Sequence, residues 1–87
     1  MDYTDIRKLI SANRLAEAAA LLPSPSEAKD AEALYLLGRI AWKEGRKTDA
    51  ISLYNAALAL DPESEAAVAL EQASGIMDFY HRDLYNP

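Results

Sequence analysis

Eighty-seven residues amount to one domain at most, which excludes a second catalytic module. With no cysteine and a single His, the chain has no disulfide framework and no thiolate metal site, and a His-based zinc cluster is disfavoured. Nine Lys and Arg against fourteen Asp and Glu give a net charge of −5, which argues against backbone-driven binding to nucleic acid or to an anionic membrane.

Seventeen Ala and twelve Leu dominate the chain, while Val, Ile and Thr together supply only eight residues. Ala and Leu lose little side-chain entropy in a helix, and sheets favour the β-branched residues that are scarce here, so the composition predicts an all-α fold. The longest apolar stretch near the N-terminus, Ala18 to Leu22, is too short for a signal h-region. No span approaches the ~18–20 apolar residues of a transmembrane helix, so a soluble, cytoplasmic protein is expected.

The punctuation predicts five helical segments. Asp2 can cap a first helix to about Ala12 with Ile6, Leu9 and Ile10 on one side, and Asn13 suits the left-handed turn that ends it. A second helix follows from about Arg14 to Leu22, stopped by Pro23-Ser24-Pro25-Ser26. Ser24, Pro25 and Glu27 form a capping box with proline at the first helical position, which predicts a third helix starting there and running to Gly45. A fourth spans about Lys47 to Leu60. Asp61-Pro62 then repeats the cap-plus-proline device for a fifth, from Pro62 to about Arg82. Its apolar stripe includes Ala66, Ala69, Leu70, Ala73, Ile76, Met77, Tyr80 and Leu84, with Gly75 as a predicted bend or close approach.

Self-comparison at an offset of 32 aligns Tyr3 with Tyr35, Arg7 with Arg39, Arg14 with Arg46, Glu17 with Asp49, Ala18 with Ala50 and Leu21 with Leu53. The segment Ala31 to Ser64, with Leu34, Leu37, Gly38, Gly45, Ala50, Tyr54, Ala57 and Pro62 at characteristic places, resembles the tetratricopeptide repeat. Gly38, Ala50 and Ala57 let two antiparallel helices approach, and Leu34, Leu37 and Tyr54 fill the spaces around them. Ala41 stands where the family uses an aromatic and Trp42 follows, which predicts a ring displaced toward the flank. The resemblance implies a superhelix of about five antiparallel α-helices over 1–87. It comprises a truncated repeat at 1–24, a full repeat at 31–64, and a closing helix and tail at 65–87.

The resemblance also implies a non-enzymatic, cofactor-free module that binds another protein or peptide in a concave groove. The groove is lined by one flank of each repeat's first helix. On the third helix that flank holds Tyr35, Arg39 and Trp42, and on the first it holds Tyr3 and Arg7. Aromatics and Arg are the residue types that interfaces favour as anchors. Neither Arg has a carboxylate at helical contact spacing, so both charges are available to a partner's carboxylates. The alternative packs Tyr35 and Trp42 beneath the closing helix and pairs Arg39 with Glu71 or Asp78. The carboxylate-clamp subclass of the family is not supported, because Leu36 replaces its polar pattern. A homodimer formed through the open end of the stack or the Ile76 to Leu84 stripe is the rival assembly.

His81-Arg82-Asp83-Leu84 matches the opening of a kinase catalytic loop by chance. Asn86 arrives two residues early, and the chain has no Gly-rich loop and no room for two lobes. The residue pattern offers no catalytic triad, phosphate loop or metal spacing. The Asp83 to Pro87 tail reads as either a strap or a frayed end.

Overall fold

The computed structural model describes residues 3–73, and every regular element within them is a helix. The elements are α1 (Thr4–Ser11), α2 (Leu15–Ala20), α3 (Ala31–Lys43), α4 (Lys47–Leu60) and α5, described over 66–73. Asp2, Gly75, the Ile76 to Leu84 stripe with the His81 motif, and the Asp83 to Pro87 tail lie outside the described residues.

The offset of 32 is present in the backbone. Asn13 closes α1 at φ 64° and Gly45 closes α3 at φ 87°, the left-handed conformation that Asn and Gly tolerate best. The bonds around the two turns match: Arg14 N–H donates to the Leu9 carbonyl at 2.8 Å, and Arg46 N–H donates to the Ala41 carbonyl at 2.8 Å. Each Arg then reaches three residues ahead on the new helix, Arg14 to Glu17 at 2.8 Å and Arg46 to Asp49 at 3.2 Å. Two helix–turn–helix units therefore follow one another, the first shorter at both ends.

Two expected boundaries move. The expected Ser24 capping box does not form: Ser24 Oγ donates to Glu27 Oε1 at 2.7 Å and the Glu27 and Ala28 N–H groups bond the Ser24 carbonyl, which closes a single turn. α3 begins later, at Ala31, because Asp30 takes an extended backbone and its Oδ1 accepts from Ala33 N–H at 2.8 Å. Likewise α5 does not begin at Pro62. Asp61 Oδ1 accepts from Glu63 N–H at 3.0 Å and Ser64 Oγ accepts from Ala66 N–H at 3.1 Å, so a turn built on side-chain bonds precedes the helix.

α3 is the central rod and is buried on two sides, not on the single side centred at Leu34, Leu37, Gly38 and Ala41 that its spacing suggests. Ala33, Leu36 and Ile40 join Ile6, Ile10, Ala18 and Leu22 in one core, while Leu34 and Ala41 join Ala50, Tyr54, Ala57 and Ala66 in a second. Leu36, fully buried, is the wedge between the first helix pair and the second. α3 and α4 approach closely at Gly38, where an added Cβ would lie 2.5 and 2.6 Å from two carbons of the Tyr54 ring. In the first unit the corresponding positions are Ile6 and Leu22, both in the first core, so a large–medium pair replaces the glycine–tyrosine pair.

Candidate functional site

The two Tyr–Arg pairs have the same helical spacing but different surroundings. Tyr3 is a core residue, 6% exposed, and its phenol donates to Asp30 Oδ2 at 2.7 Å. That hydrogen bond foremost, together with burial, pushes the phenol up to about 12. Arg7 carries no free charge. Its Nη2 lies 2.8 Å from Glu32 Oε2 and 2.8 Å from Glu65 Oε1, and its Nε and Nη1 bond the same two carboxylates. The expectation of an available Arg7 holds only along its own helix; both partners arrive from other elements, 25 and 58 residues away in sequence. Arg7's hydrogen bonds foremost hold the Glu65 carboxyl below its ordinary range. The network surrounds a shallow hollow of about 220 Å³ that also touches Asp61 and Glu63.

The second pair faces a different space. Tyr35, Arg39 and Trp42 come together in one cleft of about 380 Å³, with Lys43 and Tyr54 beside them and Ala69, Gln72 and Ala73 of α5 opposite. That volume lies within the range of ordinary ligand pockets. The Tyr35 ring lies 5.9 Å from the Tyr54 ring at a 35° tilt, and the Arg7 guanidinium stands 5.7 Å from its centroid. Burial foremost raises the Tyr35 phenol and pushes that of Tyr54 up to about 12. The Trp42 ring is on the flank, half-buried, while Ala41 fills the tight contact with α4 at 0% exposure. Lys47 Nζ sits 5.1 Å from the indole centroid.

The structure thus gathers Tyr35, Arg39 and Trp42 and sets Tyr3 apart, while Arg7 meets the group only at the Tyr35 ring, which lines both hollows. Among the described residues Arg39 makes no ion pair and no hydrogen bond through its side chain, and the alternative pairing with Glu71 is not formed. Asp78, the other candidate partner, lies outside the described residues. Lys43 and Lys47 were not singled out from the pattern, and Tyr54 was read there as packing only. A signal for the lysines was available: residues 39–47 hold Arg39, Lys43, Arg46 and Lys47, four of the chain's nine cations, and 39, 43 and 47 recur at helical spacing. Arg46 is taken by Glu44 at 2.6 Å and by Asp49.

Among the described residues, no group of three or more His, Cys, Asp and Glu could hold a metal ion, and no helix is long and apolar enough to cross a membrane. Antiparallel helix pairs stacked through small residues, with aromatics and cations along one flank, define a helical-repeat protein. The tetratricopeptide repeat family matches residues 31–64, the α3–α4 unit and the turn after it. Residues 31–64 are thus similar to a tetratricopeptide repeat, and the all-helical architecture of the described residues agrees with that family. No curated protein and no solved structure matches the chain.

Proposed function

We propose that this chain is a non-enzymatic interaction module that holds a segment of a partner protein in the cleft of Tyr35, Arg39 and Trp42. Repeats of this family generally mediate protein–protein interaction. The observation that carries the reading is the make-up of the cleft: three aromatics and two cations, with no carboxylate among its described lining residues, in a chain of net charge −5. Such rings offer large contact area at small entropic cost, and a guanidinium fixes orientation by directed bonds. The close approach at Gly38 seats the Tyr54 ring that forms one side of the cleft.

Capture from native extract tests the reading. The chain is compared with a variant carrying Arg39→Ser and Trp42→Ser, and with a control carrying Lys8→Ser on the exposed side of α1. Partners retained by the control and lost by the cleft variant, with helical content unchanged in both, are the expected result. Equal recovery on all three proteins would refute the assignment.

A further inference from the structure

The proposal that follows rests on the cleft being the partner site and names the chemistry of what enters it. The internal repeat supplies the argument, because it displays the same Tyr–Arg pair twice in different states of satisfaction. In the first unit Tyr3 bonds Asp30 and Arg7 bonds Glu32, both from the start of the following repeat. Advanced by 32 residues, those two acceptors fall on Pro62 and Ser64, neither of which carries a charge. The nearby carboxylate that could compensate is Glu65, and both of its oxygens are bonded by Arg7 at 2.8 and 3.2 Å. The second pair, Tyr35 and Arg39, therefore has the spacing of the first, but its one described acid is the Glu65 carboxylate that Arg7 already holds: Tyr35 reaches it as well, and Arg39 makes no ion pair with it.

Beside Arg39 stand Lys43 and the Trp42 indole, with Lys47 Nζ 5.1 Å from the indole centroid. A partially buried guanidinium without an anion is costly, and an incoming carboxylate would relieve that cost with charge-assisted hydrogen bonds. The rings of Tyr35, Trp42 and Tyr54 meanwhile require an apolar side chain to exclude water from the cleft. We infer that the cleft takes an internal acidic segment of the partner, whose side-chain carboxylate does at Arg39 what Glu32 does at Arg7 and whose neighbouring apolar side chain packs on Trp42.

Trp42 is the chain's sole tryptophan, so its fluorescence reports the cleft directly. The probe is a peptide of about ten residues, acetylated and amidated, with a Leu-Phe pair between two runs of Glu. It is titrated against versions with Lys for every Glu and with Ser for Leu-Phe. The Glu peptide is expected to bind at least tenfold tighter than either version and to weaken as salt is raised. Arg39→Gln should cost about tenfold in its affinity. Lys43→Gln, at an exposed position, serves as a second variant whose folding is not in question and should cost less, in the same direction.

Equal or tighter binding of the Lys peptide, or unchanged affinity on both Arg39→Gln and Lys43→Gln, overturns the acidic occupant and leaves the cleft as a partner site. Binding only by a peptide with a free C-terminal carboxylate overturns it too, since the inference places side-chain acids at Arg39. If no peptide binds while the Arg39→Ser, Trp42→Ser variant still loses its partners from extract, the acidic segment alone fails. Partners retained on that variant defeat the functional assignment itself.

Discussion

Gly38→Ala is the sharpest test of the packing that seats the cleft. An exposed helical Gly replaced by Ala gains about 1 kcal/mol in helix propensity, so without tertiary contact the variant would be more stable. Here the new Cβ would sit 2.5 and 2.6 Å from two Tyr54 ring carbons, where carbon pairs rest at about 3.5–4.0 Å. The ring must retreat by about 1 Å. Tyr54 is 3% exposed and packs against Tyr35, so its displacement disturbs both the second core and the cleft. Overpacking of this kind costs about 1–3 kcal/mol, and two contacts this short put it at the upper end. Against the propensity gain, a net loss of about 2 kcal/mol remains, or about 8–16 °C in Tm for a domain of this size. Thermal unfolding followed by circular dichroism measures it. The double variant Gly38→Ala, Tyr54→Leu isolates the cause: with the ring gone, the alanine should become neutral or stabilising relative to Tyr54→Leu alone. A Gly38→Ala protein as stable as the parent would show that the two helices do not meet as described.

Three further outcomes follow from the polar contacts. Asp30→Ala removes the α3 cap and strands the buried Tyr3 phenol, for a loss of about 2–3 kcal/mol in denaturant unfolding; added Tyr3→Phe should then cost nothing or restore stability. Arg7→Gln should cost only about 1 kcal/mol, because water screens its half-exposed pairs. Since Glu65 is held below the ordinary carboxylate value of about 4.3, its contribution is present above that pH and is lost as pH falls through the lowered value. Arg7→Gln should therefore flatten the acid limb of the stability profile, and an unchanged limb would contradict the network. At the alkaline end, Tyr3 is neutral up to about 12, so the stability it lends is complete below pH 10 and lost as pH climbs toward 12; Tyr3→Phe should make that limb shallower.

Much of the fold was legible in the chain itself because its signals are local. Asn13 and Gly45 announce the two left-handed turns, and Arg14 and Arg46 the helix starts that follow, each within four or five residues of the contacts they make. The α3 boundary was less legible. Ser24 with Pro25 and Glu27 closes only a turn, whereas the Asp30 carboxylate both caps Ala33 N–H and accepts from a phenol 27 residues away, a contact that no local pattern announces.

For the site, the pattern placed Tyr35, Arg39 and Trp42 on one flank, because angular position around a helix follows from spacing alone. It treated Tyr3 and Arg7 as their equals for the same reason. Helical period, turn chemistry and the 32-residue echo were thus determined by the sequence. Which of two like-spaced Tyr–Arg pairs is consumed internally was decided by tertiary structure. That depends on what the next rod brings alongside, Asp30 and Glu32 in one case and the turn before α5 in the other. Such neighbours are fixed by how helices pack across tens of residues, and no short-range preference encodes them.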